Sequence, residues 1–280
     1  MTPFLARQER FAVVGSTNDV VRGWLADGTP EVCLAIADEQ TAGRGREGRR
    51  WTAPAGAALL LSLGFRPTWL APDRVWRLAA TVSLAMADAA EEVAGLPDQA
   101  IRLKWPNDLV VETVGAVVPV PPEVPTEVRK LAGVLGETDG LGGPDPRAVI
   151  GLGIDTDWAE PDFPPELATS MTSLRAASHG RPIDHVALLD SFLGRLEVRV
   201  EALRGGRFDV ADWTDRQLTT GRTIELIGSD GGSTTVEALG VDAASGALVV
   251  ADPTTVAGER LVHVGEIARV RLADPLTSGV

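Results

Sequence analysis

The apolar residues of the chain follow two spacings, which predict two kinds of element. Short runs rich in valine, isoleucine, leucine and alanine are typical of buried strands, and they occupy residues 11–14, 31–38, 57–65, 101–104, 109–111, 130–137 and 147–154. Apolar residues three and four positions apart predict helices starting at Ser16 and ending at Gly28, between Pro72 and Gly95, and over residues 183–203. The combination predicts an α+β domain.

The pattern changes after Gly221. Short β-branched runs separated by glycines follow at the spacing of a small β-barrel, over residues 223–227, 234–239, 247–250 and 260–264. We therefore predict two domains, residues 1–219 and residues 220–280. The segment 112–129 carries four prolines, which lack the amide proton that a strand donates, so we predict a surface excursion there rather than a core strand.

Composition narrows the classes of function. A chain of 280 residues with 44% hydrophobic and 23% charged residues is typical of a globular protein. The net charge of -13 argues against general binding to nucleic acid or to anionic membranes. A single cysteine, Cys33, excludes an internal disulfide and a cysteine-based zinc site. Neither a membrane span nor a signal peptide is visible, so we expect a cytoplasmic protein.

One segment combines glycine with arginine. Residues 43–50 hold four arginines and one glutamate, a local charge of +3 in an acidic protein. Glycines let backbone N–H groups approach a ligand closely, and guanidinium groups bind phosphate or carboxylate oxygens in pairs. We predict an anion-binding loop, with a solvated flexible loop as the alternative. No Gly-Lys-Ser/Thr follows, so this is not a Walker A loop.

Further candidates stand at the ends of strand-like runs. Lys104-Trp-Pro-Asn-Asp108 gathers amide and carboxylate oxygens, which suits either a Mg²⁺ or ligand site or a capped turn. Lys130 can deliver a positive charge to a phosphate or carboxylate, or can protect a sheet edge. Asp155 follows the run Gly151-Leu-Gly-Ile154 and is either a ligand contact or a solvated loop residue. The three histidines show no metal-ligand spacing and are interpreted as non-catalytic.

Taken in order, these segments resemble the biotin protein ligase family. The resemblance rests on Ser16-Thr17-Asn18, on Gln40-Thr-Ala-Gly-Arg-Gly-Arg-x-Gly-Arg49 with Trp51, on Lys104-Trp-Pro-Asn-Asp108, on Lys130-Leu-Ala-Gly-Val-Leu135 and on Gly151-Leu-Gly-Ile154. It implies a mixed-sheet catalytic domain of the biotin/lipoate ligase type with helices on one side, followed by a small SH3-like β-barrel. The chain departs from the family in having Asp155 where asparagine, associated with adenine recognition, is usual, and in the length of segment 112–129.

The resemblance implies a two-step reaction. Biotin and MgATP give biotinyl-5′-AMP, and the ε-amine of a lysine on a biotin carboxyl carrier domain, in an acyl-CoA or pyruvate carboxylase, then attacks the adenylate. Catalytic roles are implied for Lys104, Asp108, Lys130 and Arg46. Lys130 would bridge the biotin carboxylate and the α-phosphate, Arg46 would hold the adenylate under a closed loop, and Asp108 would orient a cationic group or assist proton removal.

The same resemblance implies two binding regions. Biotin would be bound by Ser16, Thr17, Asn18, Gln40, Gly43, Arg44 and Lys130. ATP and the adenylate would be bound by Arg44, Gly45, Arg46, Arg49, Trp51, Asn107, Lys130 and Asp155. Asn107 would contact the ligand or a metal ion, the other metal ligands stay unknown, and Mg²⁺ is expected as a cofactor together with ATP.

Two other functions stay open. A lipoate or octanoate ligase shares the fold, but its substrate has no polar head to pair with Ser16 and Gln40, and each buried unpaired group would cost about 1–3 kcal/mol. A non-catalytic biotin-binding regulator would not need Lys104, Asp108 and Lys130. Because the first motif begins at Ser16, we expect no preceding DNA-binding domain and therefore a ligase that binds neither DNA nor membranes.

Overall fold

The computed structural model describes residues 4–114, 126–228 and 231–272. Seven strands form its larger sheet: β1 (Arg7–Val14), β2 (Cys33–Gln40), β3 (Ala58–Phe65), β4 (Ile101–Lys104), β5 (Asp108–Val114), β6 (Thr126–Asp139) and β7 (Arg147–Asp155). Their order across the sheet is β1-β2-β3-β7-β6-β5-β4. β1 and β2 run parallel, and the other neighbouring strands are antiparallel. The predicted mixed sheet is confirmed.

Helices cover both faces of this sheet. They are α1 (Thr17–Ala26), α2 (Trp76–Ala94), α3 (Leu174–Ala177), α4 (His185–Arg204) and α5 (Val210–Asp215). The main core lies between one face and the pair α2 and α4, whereas α1 packs on the opposite face through Val21 and Leu25. The prediction of helices on one side therefore holds for α2 and α4 but not for α1. The reason is that β2 is apolar on both faces, so both need cover.

Small residues bring α1 close to the sheet. A Cβ atom added at Gly64 would lie 2.6 Å from Cys33 Sγ and 2.7 Å from Val21 Cγ1. On the α1 side, the central strands present Leu60, Ser62 and Gly64 from β3 and Val149, Gly151 and Gly153 from β7, while their other leucines and isoleucines belong to the core beneath α2. The three glycines leave room for a site on this face, and Ser62 gives it a polar group. Among the described helices, none is long and apolar enough to cross a membrane.

The remaining strands form a second, antiparallel sheet. They are β8 (Arg222–Gly228), β9 (Ser233–Val241), β10 (Leu248–Ala251), β11 (Glu259–Val262) and β12 (Ile267–Leu272), in the order β11-β10-β9-β8-β12. Trp105, at the end of β4, is buried in the core of this sheet and donates from Nε1 to the carbonyl oxygen of Gly246 at 3.0 Å. The second sheet is thereby fixed beside the turn between β4 and β5. The boundary at residue 219 stays a prediction.

Two features of the sequence were misjudged. β5 continues to Val114 and β6 begins at Thr126, and these ends pair with each other, so both flanks of segment 112–129 are strand rather than excursion. The polar and β-branched residues there pair across the two strands, whereas the four prolines fall within residues 115–125, outside the described residues. Strand β12 was not predicted, because Arg269 and Arg271 interrupt its apolar residues.

Candidate functional site

A cluster of neutral polar side chains lies where α1 begins. Ser62 Oγ on β3 is 2.7 Å from Thr17 Oγ1 and 2.6 Å from Asn18 Oδ1. Gln40 Oε1 accepts from the backbone N–H of Thr17 at 2.8 Å and from its hydroxyl at 3.0 Å. Thr17, Asn18 and Ser62 are buried. We call these four side chains, Thr17, Asn18, Gln40 and Ser62, the hydroxyl–amide cluster; it offers directed hydrogen bonds without formal charge.

Two residues border this cluster. Ser16 is buried at the N-cap position of α1, although its side chain makes no capping hydrogen bond. Glu137, near the end of β6, accepts from Asn18 Nδ2 at 2.7 Å and pairs with Arg22 at 2.7 Å. Four of the residues predicted to bind biotin, Ser16, Thr17, Asn18 and Gln40, are therefore together in the structure.

Two glycines of β7 form the sheet surface beneath the site. A Cβ atom at Gly151 would lie 2.2 Å from Asn18 Oδ1, and one at Gly153 would lie 2.7 Å from the ring of Trp51. Any side chain at either position would displace these groups. The Gly-Leu-Gly motif is thus explained by close approach of an amide and an indole. Trp51 Nε1 is buried and has no hydrogen-bond partner among the described residues.

The arginine-rich loop folds as a tight hairpin. Trp51 donates its backbone N–H to Gly43 at 3.0 Å, and Gly45 donates to Arg49 at 2.7 Å. A Cβ atom at Gly43 would lie 2.5 Å from the carbonyl oxygen of Trp51, so the ends of the hairpin can meet only at glycine. Gly48, at a φ of 67°, turns the chain at the tip. The structure therefore favours a shaped loop over the solvated alternative.

Arg44 lies on the side of the loop near the hydroxyl–amide cluster. Its guanidinium binds both carboxylate oxygens of Asp19, each at 2.7 Å, and lies 3.5 Å from Glu137 Oε1. The hydrogen bond from Arg44 holds the pKa of Asp19 below its usual value. This bidentate pair fixes the guanidinium beside the predicted biotin region. The predicted binding of biotin and the adenylate by Arg44 stays a prediction.

Arg46 points the other way. Its Nη2 donates to the carbonyl oxygens of Val264 and Ile267, both at 2.8 Å, in the second sheet. Burial lowers the pKa of its guanidinium, and the charge of Asp108 acts in the opposite direction. Arg46 is therefore within electrostatic range of the carboxylate while it joins the loop to the second sheet. Its predicted contact with the adenylate stays a prediction.

Both lysines of the chain meet at one carboxylate. Of the 26 Lys and Arg residues, only Lys104 and Lys130 are lysines. Lys130 Nζ lies 2.6 Å from Asp108 Oδ1, and Lys104 Nζ lies 4.0 Å from Asp108 Oδ2. Burial lowers the pKa of the Lys104 ammonium, and Asp108 partly opposes this effect. Lys130 Nζ is also 5.4 Å from the centroid of the Trp51 ring, close enough for a cation–π contact. We call Lys104, Asp108 and Lys130 the lysine–aspartate group.

A β-bulge aims Lys130 into the site. β6 lies between β5 and β7, which excludes the edge-strand interpretation of this lysine. The pairing of β5 with β6 slips at Leu131, and a bulge of this kind re-aims neighbouring side chains. Lys130 Nζ consequently lies only 3.3 Å from the position of a Cβ at Gly133. Backbone hydrogen bonds to Ser170 and Thr172, both at 2.8 Å, hold the lysine in place.

Asn107 has a visible structural task. Its side-chain Nδ2 donates to the backbone carbonyl oxygen of Val134 at 3.1 Å, and its backbone carbonyl oxygen accepts from the N–H of Val134 at 2.9 Å. These bonds fasten the turn between β4 and β5 to β6, which agrees with the capped-turn interpretation of the motif. A contact between Asn107 and the nucleotide stays a prediction.

Asp155 ends β7 on the same side of the sheet. It is 5% exposed, and its Oδ1 has no hydrogen-bond partner among the described residues. Burial raises the pKa of its carboxyl to about 7, although the positive charge of Lys130 opposes the shift. The interpretation of Asp155 as a solvated loop residue is wrong, because the residue is part of a buried strand end.

Three residues of the site were not predicted. Ser62 could have been found, because it is the one polar side chain in an otherwise apolar run. Glu137 follows the Lys-Leu-Ala-Gly motif but carries no signal of its own. Arg269 of β12 acts electrostatically on Lys104 and repels Arg49, and nothing in the sequence indicates that the second sheet reaches the site.

The described residues include no group of three histidine, cysteine, aspartate or glutamate side chains that could hold a metal ion. His185, at the start of α4, uses its Nε2 in a hydrogen bond with Thr156 Oγ1 at 2.6 Å. The donor set thus does not fit a metal ion held by the protein alone, and we treat Mg²⁺ as a companion of the nucleotide phosphates.

Comparison with curated proteins gives related sequences. Biotin–acetyl-CoA-carboxylase ligase of Mycobacterium tuberculosis is 31% identical over 218 residues, which are 77% of this chain and 72% of that protein. The bifunctional ligase/repressor BirA of Bacillus subtilis is 30% identical over 187 residues, 67% of this chain and 51% of BirA. The chain therefore matches about half the length of that bifunctional relative.

Comparison with solved structures gives the same fold. Biotin protein ligase from Aquifex aeolicus, in complex with biotin and ATP, superposes with a TM-score of 0.73 at 23% identity and covers 95% of this chain and 99% of its own. Biotin protein ligase from Leishmania major, in complex with biotinyl-5-AMP, gives a TM-score of 0.56 at 21% identity and covers 94% and 100%. The model of the biotin/lipoate A/B protein ligase family matches residues 11–155, more than half of the sequence. The chain belongs to the biotin/lipoate A/B protein ligase family.

Proposed function

We propose that this protein is an ATP-dependent biotin protein ligase. It activates biotin as biotinyl-5′-AMP and transfers the biotinyl group to one lysine of a biotin carboxyl carrier domain. One observation carries the proposal: the neutral hydroxyl–amide cluster and the cationic lysine–aspartate group open on the same face of one sheet, with the Trp51 ring between them. A substrate with a polar neutral head and an anionic tail matches that arrangement.

The hydroxyl–amide cluster suits a cyclic urea. The ureido ring of biotin has one carbonyl acceptor and two N–H donors, and the cluster supplies hydroxyl donors together with the amide oxygens of Asn18 and Gln40. The dithiolane of lipoate offers no comparable partners. Burying it against the cluster would leave polar groups unpaired, at about 1–3 kcal/mol each. The cluster therefore favours biotin over lipoate or octanoate.

The first step joins two anions. A carboxylate oxygen of biotin attacks the α-phosphorus of ATP, a P–O bond forms, and pyrophosphate leaves with the electrons of the broken bond. Repulsion between the reactants must be offset by fixed positive charge. Lys130 supplies positive charge from β6, where its backbone N–H and C=O are both hydrogen-bonded. Arg44 supplies positive charge from the hairpin. When Mg²⁺ is bound with ATP, it neutralises phosphate oxygens.

The second step needs a neutral amine. The carrier lysine loses a proton to solvent and its nitrogen forms a bond to the acyl carbon. The acyl C–O bond to the phosphate breaks, AMP leaves with the electrons of that bond, and the nitrogen gives a second proton to solvent. Asp108 is placed to accept a hydrogen bond from an incoming ammonium, because it already binds one ammonium at 2.6 Å. The two lysines beside it hold its orientation. Asp108 thus orients the incoming amine, and the AMP that leaves lies next to Lys130.

The relatives support this choice of substrates. The Mycobacterium tuberculosis relative is named a biotin–acetyl-CoA-carboxylase ligase, and the Aquifex aeolicus protein was solved with biotin and ATP. We therefore include a carboxylase carrier domain and MgATP in the proposal. A cytoplasmic location and the absence of DNA binding stay predictions.

A transfer assay tests the proposal. The purified protein is incubated with ATP, Mg²⁺ and a biotin carboxyl carrier domain, with either biotin or lipoate, and the carrier is weighed by mass spectrometry. We expect one biotinyl group on the carrier, dependent on ATP, and no lipoylation. Lipoylation without biotinylation would favour the lipoate ligase instead. Biotin binding without AMP formation or transfer would indicate a non-catalytic regulator.

A further inference from the structure

Asp155 is a buried acid that the reaction steps above do not use. It is 5% exposed at the last position of β7, and its Oδ1 has no partner among the described residues. Residues two apart on a strand face the same side, so Asp155 shares the side of the sheet that carries Gly151 and Gly153. An unsatisfied buried carboxyl on a ligand-facing surface is costly unless a ligand completes its hydrogen bonds.

The surroundings of Asp155 favour the neutral acid. The charge of Lys130 on β6 acts on Asp155, whereas Asp157 lies two residues further along the chain, Arg175 lies on α3 and His185 begins α4. Lys130 is paired at 2.6 Å with Asp108, Asp157 lies 3.5 Å from Arg175, and His185 bonds Thr156. Burial raises the pKa of Asp155 to about 7, against the charge of Lys130. β3 adds only Ala58 opposite.

We propose that Asp155 binds the nucleotide as a neutral carboxylic acid, donating its O–H to an acceptor atom of the nucleotide and thereby making nucleotide affinity dependent on pH. This inference rests on the proposed function. A neutral carboxyl offers one donor and one acceptor, as an asparagine amide does, whereas a carboxylate offers acceptors only. An ionised Asp155 would also place a buried negative charge beside an anionic ligand.

The position along β7 assigns Asp155 to the nucleotide rather than to biotin. Gly151 is in contact with Asn18 of the hydroxyl–amide cluster, and Gly153 is in contact with Trp51. Asp155 lies four steps along the strand from Gly151, about 13 Å at roughly 3.3 Å per residue. A ureido ring held at the cluster does not reach that far. The adenylate half of the intermediate extends past Trp51 and Lys130 and therefore reaches Asp155.

The expected change in nucleotide affinity follows from the fraction of the protein in which Asp155 is protonated. If only the protonated form binds, the apparent affinity scales with that fraction, so a group titrating near pH 7 loses about tenfold in affinity between pH 6 and pH 8. Binding above pH 7 must also draw a proton from the buffer. His185 does not produce this pattern, because burial lowers its pKa below the ordinary value. Biotin alone does not reach Asp155 and should bind equally at both pH values.

Calorimetry with a phosphodiester analogue, biotinol-5′-AMP, tests the proposal, because this probe does not titrate in the range. Binding is measured from pH 6 to pH 8.5 in buffers of different ionisation enthalpy. We expect about tenfold weaker binding at pH 8 than at pH 6, with nearly one proton taken up at pH 8. Asp155→Asn should bind with flat affinity and without proton uptake, while the matched control Asp157→Asn should behave as the wild type.

Several outcomes would overturn the inference. Flat affinity with no proton uptake in the wild-type protein would do so without any variant, as would proton uptake that persists in Asp155→Asn. If the wild-type protein transfers biotin and one of these two results is found, the role of Asp155 is refuted and the proposed function is not. A wild-type protein that binds neither biotin nor the analogue at any pH would refute the proposed function with it.

Discussion

Replacing Lys130 with alanine removes the central positive charge of the site and should affect chemistry more than folding. The backbone of residue 130 is held by Ser170 and Thr172, and these bonds do not need the side chain. Asp108 keeps Lys104 at 4.0 Å after the change. The lost pair is partly solvated, so we expect a cost of about 1 kcal/mol or less in the free energy of unfolding.

The expected loss of activity can be estimated from the charge. A lysine ammonium about 4 Å from an anionic oxygen, at an effective dielectric constant of 20, contributes about 4 kcal/mol. The side chain of Lys130 is 36% exposed, so screening by solvent reduces this value. A loss of about 3 kcal/mol in transition-state stabilisation corresponds to about a hundredfold slower adenylation.

Pre-steady-state formation of biotinyl-5′-AMP, measured by rapid quench, checks this estimate. The matched control is Arg147→Ala, which removes one positive charge at the opposite end of β7 from Asp155. We expect the control to keep wild-type adenylation and Lys130→Ala to lose about a hundredfold. Adenylation within a few-fold of the wild type in Lys130→Ala would refute the reasoning that this lysine offsets the repulsion between the substrates.

Three further predictions concern other parts of the site. Asp108→Asn should slow transfer to the carrier about a hundredfold or more while adenylation changes less, and equal effects on the two half-reactions would contradict a role in guiding the amine. Arg46→Ala loses its bonds to the Val264 and Ile267 carbonyls and should release biotinyl-5′-AMP that labels an added lysine-rich protein; labelling confined to the carrier would contradict it. A carboxyl whose folded-state pKa is raised stabilises the fold at acid pH and loses that contribution as pH rises through about 7. Asp155→Asn should therefore stabilise the protein by a few kcal/mol at pH 8 and by less than half of that at pH 5, in urea unfolding; equal gains would show that Asp155 does not titrate in this range.

The strands of the catalytic sheet could be predicted because they are buried on one or both faces. Runs such as residues 57–65 and 147–154 have to be apolar, and each appears at nearly the predicted position as β3 and β7. The side of the sheet that each helix covers could not be predicted, since apolar strands do not show which partner faces them. The placement of α1 depends on small side chains at Gly64 and Cys33, whose effect is visible only in three dimensions.

Site residues were predictable where a motif constrains the backbone. Gly43, Gly151 and Gly153 are explained by close approach of other groups, and this makes their spacing readable in the sequence. The convergence of Lys104 and Lys130 on Asp108 was not visible, because it depends on a bulge at Leu131 and on pairing between distant strands. The same holds for the contact between Arg46 and the second sheet, which joins residues more than two hundred positions apart.

Retention of labelled biotinyl-5′-AMP by the protein, without any carrier present, tests most directly whether one face of this sheet activates biotin. The protein is incubated with biotin, Mg²⁺ and ATP labelled at the α-phosphate, and is then passed through a desalting column. We predict that label leaves the column with the protein, that it is chemically biotinyl-5′-AMP, that omission of biotin abolishes it, and that substitution of Lys130 by alanine strongly lowers it after the same short incubation. Label that never accompanies the protein, or that accompanies it equally without biotin, would contradict the account.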